Sequence, residues 1–381
     1  MSQIVLGFRP ALLAAAGLLC LTVSPGWALT QNPETVCDAL AASPFDPQVP
    51  KGEGVPFEQI KFGEAVAACE AALANTPGDP KLLFQYARAL DAAGRADEAI
   101  AAYTQAIDAG SVVALSGLGT VYDGGYGVPE DATKAAELYQ RAADAGLSLG
   151  MTNLGNLYEH GRGVAQDYAK AAALYKQAAD AGSAFGAGSL GYLTEKGLGV
   201  AADDAEAARL YRIGADGGEA FAQRNMGVMY SDGRGGLDKN PEEAFRFYKM
   251  AADQHFTPVY VDLSKAYRDG IGTPADETEA VRYLRLAIEE GDAVVQSDAQ
   301  NDLAWLFSLG NRNLDEAETL ARAAVAADPQ KALKLDTLAW VLHLQGRDAE
   351  ALPLSEKAVE LDGASAENAE HLAIIRASLP G

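Results

Sequence analysis

Histidine, cysteine and basic residues are scarce in this chain of 381 residues. Four histidines and three cysteines are present, and 30 lysines and arginines stand against 53 aspartates and glutamates, for a formal charge of −23. A chain this acidic repels phosphate backbones, so we do not expect it to bind nucleic acid. The acidity is better suited to solubility or to the attraction of a basic partner.

The scarcity of metal-binding side chains also argues against a metal site. Beyond the N-terminal apolar run the chain has two cysteines, Cys37 and Cys69, which form no C-x-x-C motif and have no histidine close to them in sequence. The sequence therefore predicts neither a metal site nor a cofactor. The four histidines are far apart and share no ligand spacing, so we interpret them as solvated or capping side chains: His160, His255, His343 and His371.

Long apolar runs are absent except at the N-terminus, where Ala11 to Val23 follow a short segment whose only charge is Arg9. The run is short for a bilayer span, and small residues flank Trp27 beyond it. Residues 1–28 are thus predicted to be a signal peptide, with an uncleaved membrane anchor as the alternative. We expect a bacterial protein that is periplasmic or secreted, with no membrane span after cleavage and a charge of −24.

The two remaining cysteines form an even pair. In an oxidising compartment such a pair predicts one disulfide, Cys37–Cys69. The bond would close a hairpin whose connecting loop, residues 44–56, is rich in proline and glycine. The alternative is that both thiols are small apolar groups in a helix interface.

An internal period organises most of the chain. Each unit has an apolar residue followed by a small one, then an aromatic, a glycine-rich turn, an acid or Asn, and an aromatic in a second segment. The paired positions recur at spacings of 36, 36, 36 and 37 residues. They are Leu118-Gly119, Leu154-Gly155, Leu190-Gly191, Met226-Gly227 and Leu263-Ser264.

Each recurring position has a physical role in a helical hairpin. Apolar residues at i, i+3, i+4 and i+7 make each half an amphipathic helix, and the small residues allow two helices to approach closely. The Gly-x-Gly turn provides positive φ angles, and an acid or Asn caps the next helix. A single hairpin cannot bury its apolar face, so the hairpins must stack. The predicted caps are Asp131, Asp167, Asp203, Asn240 and Asp276.

This pattern resembles the Sel-one-like repeat (SLR) family, a branch of the tetratricopeptide repeats (TPR), over residues 112–291 in five units. Departures are mild: Thr194 replaces an aromatic, Gly236 a valine and Ser264 a glycine. The resemblance implies an all-α, right-handed α/α superhelical solenoid. The flanks fit the same scheme: a half-unit over 29–80, a TPR unit over 81–110, two TPR-like units over 292–364 and a capping helix over 365–381.

Signals for catalysis are weak. Gly186 to Gly191 match G-x-G-x-x-G, but a dinucleotide site needs that string after a strand, whereas here it falls inside the first helix of a repeat. Ser189 lacks the glycine and the strand of a nucleophile elbow. Acidic pairs such as Glu242-Glu243 lie at helix ends and are typical of solvated faces. The sequence predicts no catalytic residue and no enzyme.

If the TPR register applies, the residue after each small packing residue faces a concave groove. Trp305 and Trp340 occupy this position 35 residues apart, where two indoles could grip a peptide or a glycan; the alternative is that both are buried core residues. A second set of partner-binding candidates has hydrogen-bonding side chains suited to an extended peptide backbone or a carboxylate terminus. These are Asn156, Tyr192, Arg224 and Lys265. Read along all units, the position holds Arg88, Thr120, Asn156, Tyr192, Val228, Lys265, Trp305 and Trp340.

The resemblance implies partner binding, because relatives in this family act as adaptors. We therefore expect an exported, non-catalytic scaffold that mediates protein–protein interactions at the bacterial cell envelope. One alternative is a glycan- or cell-wall-binding protein. Another is a wall-active or β-lactam-hydrolysing enzyme; the relatives linked to penicillin binding carry a cysteine pair in each repeat, and none of these five units contains cysteine.

Overall fold

A computed structural model of the chain describes residues 32–50 and 53–379. The predicted signal peptide, residues 1–28, lies outside them. The described residues form nineteen α-helices and one short 3-10 helix, with no strand, so the expected all-α fold of stacked helical hairpins is confirmed. None of these helices has the length and the apolar character needed to cross a membrane.

The chain divides into two compact units between Gly217 and Gly218. In the N-terminal unit the helices are α1 (Pro33–Ala41), α2 (Phe62–Asn75), α3 (Pro80–Ala92), α4 (Ala96–Asp108), α5 (Val112–Gly124), α6 (Ala132–Asp144), α7 (Ser148–His160), α8 (Tyr168–Asp180), α9 (Ala184–Lys196) and α10 (Asp204–Asp216). The 3-10 helix, Phe57–Gln59, lies between α1 and α2.

In the C-terminal unit the helices are α11 (Ala220–Asp232), α12 (Pro241–Ala252), α13 (Val259–Asp269), α14 (Glu277–Glu290), α15 (Ala293–Leu309), α16 (Leu314–Ala327), α17 (Ala332–Leu344), α18 (Asp348–Leu361) and α19 (Ala366–Ser378). Odd-numbered helices are the first helices of their hairpins and even-numbered helices are the second.

The predicted packing glycines are in contact with tyrosines of the second helix. A Cβ atom on Gly155 would lie 2.7 Å from Cε1 of Tyr175, which is fully buried. No side chain fits in that space, because real Cβ contacts are longer. Glycine at this position therefore sets how closely the two helices pack. The same contact joins Gly119 to Tyr139, Gly191 to Tyr211 and Gly227 to Tyr248.

The turns and caps also follow the sequence pattern. Gly161 ends α7 in the left-handed region at a φ of 67°, which an L side chain adopts only with strain. Asp167 then accepts a hydrogen bond from the amide of Lys170 at 3.0 Å and so caps α8. Equivalent caps, with distances between 2.9 and 3.1 Å, are Asp131, Asp203, Asn240 and Asp276.

The first hairpin is held by covalent and polar contacts as well as by packing. The predicted disulfide Cys37–Cys69 is present and joins α1 to α2. Arg88 of α3 is buried, and its guanidinium donates to the backbone oxygens of Ala41 at 2.6 Å and Val55 at 2.9 Å. The expectation that Arg88 faces a groove is wrong. Its charge is used to tie down the two ends of the loop between α1 and the 3-10 helix.

Replacing Gly155 with Ala tests the glycine–tyrosine contact. We expect the overpacked methyl group to lower the free energy of unfolding by about 1–3 kcal/mol, since Tyr175 has no space into which to move. Gly63 is the matched control, because it lies in the first turn of α2 with no atom near its Cβ position. Gly63→Ala should raise stability by up to about 1 kcal/mol through helix propensity. Urea unfolding followed by far-UV circular dichroism measures both; equal effects of the two substitutions would refute the packing argument.

Removal of the disulfide tests the N-terminal hairpin. The cysteines are separated by 32 positions in the sequence, so the bond should stabilise the hairpin by roughly 3–4 kcal/mol through the entropy of the unfolded loop. Under reductant, or in a Cys37→Ala, Cys69→Ala variant, we expect a protease to cut between α1 and α2 first, detected by mass spectrometry. The double variant should not respond to reductant. Unchanged protease resistance of the reduced parent would show that packing alone holds the hairpin.

Candidate functional site

All six partner-binding candidates lie on first helices. Asn156 and Tyr192 belong to α7 and α9 in the N-terminal unit. The other four are distributed over α11, α13, α15 and α17 of the C-terminal unit. These four are Arg224, Lys265, Trp305 and Trp340.

In the N-terminal unit, Asn156 is half-buried and belongs to a polar link between first helices. Its Oδ1 accepts from Arg162 Nη2 at 3.4 Å, and the same nitrogen lies 2.9 Å from Asp123 Oδ2. Burial raises the pKa of Asp123, and the Arg162 charge opposes that effect. Tyr192 is also half-buried and packs beside Tyr158 against the α8–α9 core; burial raises its pKa. Both candidates thus take part in packing.

In the C-terminal unit, polar pairs join each first helix to the next. Arg224 Nε lies 2.6 Å from Asp262 Oδ2, and Lys265 Nζ lies 3.3 Å from Asp302 Oδ2. A partner that binds Arg224 or Lys265 has to compete with an aspartate of this chain. The remaining links of the series are Asp298–Lys334 at 2.9 Å, between α15 and α17, and Asp336–His371 at 2.7 Å, between α17 and α19.

Trp305 and Trp340 are brought together through a third ring. Both indoles are half-buried, so they are neither core residues nor open plates. The His371 imidazole stacks on Trp340 with ring centroids 4.2 Å apart, and its centroid lies 5.8 Å from that of Trp305. His343 also contacts Trp340, at 5.0 Å. Two repeats and the last helix therefore contribute to one aromatic cluster.

The position of His371 corrects its interpretation as a solvated or capping residue, because only 8% of its surface is exposed. Its Nδ1 is hydrogen-bonded to Asp336 Oδ2 at 2.7 Å. Burial acts to lower the pKa of His371, but the hydrogen bond and charge of Asp336, with the charges of Glu367 and Glu370, outweigh it and raise the pKa. The cluster therefore includes a titratable group whose protonated form is favoured by Asp336.

One helical turn before each tryptophan is a buried polar side chain that sequence reasoning missed. Asn301 and Asp336 precede Trp305 and Trp340 by one helical turn, and His371 follows Asp336 by a further 35 residues. This repeat spacing was the feature of the sequence that could have identified the two residues. Oδ1 of Asn301 and Oδ1 of Asp336 are buried, and no described residue forms a hydrogen bond with either atom. Such atoms are costly to bury, so the cluster is not optimised for stability alone.

The glycine string and the serine that were weighed as catalytic signals lie within a packed helix. The G-x-G-x-x-G string lies inside α9, as expected, where Gly186 packs against Ala178 and Gly191 against Tyr211. Ser189 lies within the same helix. In the part of the chain that the structure describes, no three His, Cys, Asp or Glu side chains are placed to hold a metal ion.

Comparison of the sequence with protein families gives two matches. The profile of the Sel1 repeat matches residues 112–147, 148–183, 186–219, 220–256, 259–292 and 297–329, and that of a tetratricopeptide repeat matches 57–111. The sixth Sel1 match falls in the segment for which the sequence predicts a TPR-like unit. No sequence among the curated proteins matches this chain.

Solved structures agree with the family matches. A protective antigen of uropathogenic Escherichia coli strains, which displays an SLR fold, is 22% identical with a TM-score of 0.59, over 84% of this chain and 69% of that protein. A Sel1 repeat protein from Oxalobacter formigenes is 26% identical with a TM-score of 0.52, over 61% and 96%. The Sel1 matches cover more than half of the sequence and the fold is the same. The chain belongs to the Sel1 repeat family.

Proposed function

We propose that this protein is an exported, non-catalytic scaffold that binds a protein partner at the bacterial cell envelope. The repeats are of a kind that mediates protein–protein interaction. The observation that carries the proposal is the aromatic cluster. Two half-buried tryptophans stand at the same position of consecutive first helices, one turn after buried polar oxygens that have no hydrogen bond to the described residues. The disulfide favours an oxidising compartment and hence export.

A protein partner suits the cluster better than a glycan. A glycan stacks on an open indole face, whereas Trp340 is already stacked on His371 and contacted by His343. Partially covered indoles offer their edges, which pack well against aliphatic and aromatic side chains. The β-lactam-hydrolysing alternative has no support from cysteine pairs, because the six matched repeats contain none.

Affinity capture from the cell envelope of the source bacterium tests the proposal. A Trp305→Ala, Trp340→Ala variant should lose the partner recovered by the parent chain, because truncation of central indoles typically costs 2 kcal/mol or more, roughly thirtyfold in affinity. The Trp305→Phe, Trp340→Phe variant should retain the partner. Because it keeps aromatic rings next to His371, it distinguishes a loss of binding from a loss of folding. Ile213→Ala, at an exposed apolar residue of the N-terminal unit, is the surface control.

Three results would contradict the proposal in different ways. Recovery of the same partner by the alanine variant would show that the tryptophans are not part of the binding site. Recovery of cell-wall fragments without protein would favour the glycan alternative. Turnover of a wall fragment or a β-lactam by the purified chain would overturn the non-catalytic role.

The pH dependence of tryptophan fluorescence tests the arrangement of the cluster. Because the folded-state pKa of His371 is raised above its unfolded value of about 6.5, the Asp336 pair stabilises α19 fully below that pH. The contribution is lost as the pH rises through the folded-state pKa. A protonated imidazole stacked on an indole quenches its emission, so emission should rise over the same interval. His371→Gln should abolish the transition and His343→Gln should retain it; a transition that survives His371→Gln would refute the assignment.

A further inference from the structure

Large apolar side chains are exposed on the two helices that carry the tryptophans. On α15, Val294 is 61% exposed and Leu309 is 57% exposed, and on α17 Leu333 is 52% exposed. Each lies at helical spacing from a tryptophan: Val294 and Leu309 are 11 residues before and 4 after Trp305, and Leu333 is 7 residues before Trp340. These offsets are close to whole numbers of turns. The exposed residues therefore share the helix faces that bear the indoles.

Ion pairs show that the face of α15 that bears Trp305 lies between the neighbouring first helices α13 and α17. Asp298 and Asp302 occupy it at the positions between Val294 and Trp305. Asp298 reaches Lys334 of α17 at 2.9 Å, and Asp302 reaches Lys265 of α13 at 3.3 Å. The two aspartates thus pair with adjacent repeats on opposite sides of α15. We call the residues Val294, Asp298, Trp305, Leu309 and Leu333 the α15–α17 strip.

The repeats that carry the strip have a net negative charge. Between residues 292 and 379, fifteen aspartates and glutamates stand against seven lysines and arginines. Within the Asp298–Lys334 pair the lysine side chain is 6% exposed and the aspartate 53%, so the positive group is buried and the carboxylate faces solvent. At the other edge Lys265 is the more exposed member of its pair. A cationic side chain of a partner would therefore be attracted to the exposed carboxylate of Asp298, near the start of α15.

We propose that the α15–α17 strip binds a basic amphipathic helix of a partner protein. The inference rests on the proposed function, and it adds the chemistry of the partner. Val294 and Leu309 are 15 residues apart, which is about 22 Å along α15 and corresponds to about four turns of a docked helix. Apolar side chains at i, i+3, i+4 and i+7 of that helix contact the strip, and its lysines or arginines face Asp298 and the surrounding acids.

The test uses three designed peptides of equal length with the full chain. One is a helix with leucine on one face and lysine on the other, the second has glutamate in place of lysine, and the third has the first composition in scrambled order. Binding is followed by tryptophan fluorescence and by anisotropy of a labelled peptide. We expect the leucine–lysine helix to bind about tenfold or more tightly than either other peptide, and to weaken as salt increases.

Matched variants locate the binding. Leu309→Asn, Leu333→Asn replaces two exposed residues of the strip and should weaken the leucine–lysine helix about tenfold or more without loss of helical content. Ile213→Asn, Ile271→Asn removes apolar residues of similar exposure elsewhere and should leave affinity unchanged. If both double variants lose affinity equally, the peptide adsorbs to acidic surface in general and the proposal is wrong.

The remaining outcomes are equally decisive. Equal binding of the glutamate helix would refute the basic character of the partner. Equal binding of the scrambled peptide would refute the amphipathic helix. If the parent chain captures an envelope protein through Trp305 and Trp340 but binds no designed peptide, the scaffold role stands and only the chemistry inferred here is overturned.

Discussion

The contact between a first-helix glycine and a second-helix tyrosine is the constraint on which the repeats depend. With Gly155 against the ring of Tyr175, the spacing of the two helices is set by the thickness of one aromatic ring and a bare backbone. Four consecutive hairpins share this contact, so their spacing is uniform. Within each unit, hairpins of uniform spacing place residues about 36 positions apart on equivalent sites of successive first helices, and this makes short side-chain links between repeats possible.

Those links use the positions that a binding surface would also use. In the C-terminal unit, Arg224 and Lys265 pair with aspartates of the next first helix, and Asp298 pairs with Lys334. Half-exposed ion pairs contribute little stability individually, about 0–1 kcal/mol, because solvent screens them. Their effect is to fix one side-chain geometry and to use up charge that a partner would otherwise meet. Asp298 is the exception, because its partner Lys334 is buried and its own carboxylate faces solvent. A partner of the C-terminal unit therefore meets apolar surface and this carboxylate.

Sequence reasoning predicted the parts of this structure that are local. The glycine turns, the aspartate caps, the hairpin repeat and the disulfide each follow from the preference of one residue type for one backbone or redox environment. It failed where a side chain reaches a neighbour that spacing alone does not specify: Arg88 binds backbone oxygens of the first loop, and His371 is buried between two repeats. Gly163 was predicted only in part. Its positive φ was expected, but its close approach to the backbone of Ala132, 2.2 Å from the position of a Cβ atom, was not.

The aromatic cluster shows why a last helix can do more than cover apolar surface. A cap that only excludes water needs an apolar inner face, yet α19 buries His371, which pairs with the buried carboxylate of Asp336. Burial of such a pair has a desolvation free energy that apolar residues would not have. In exchange for this lower stability, the pair specifies one geometry. A shift of α19 by one residue would leave Asp336 buried without its partner, so the pair fixes the register of α19. Because the same imidazole stacks on Trp340 and contacts Trp305, that register also fixes how the two indoles are presented.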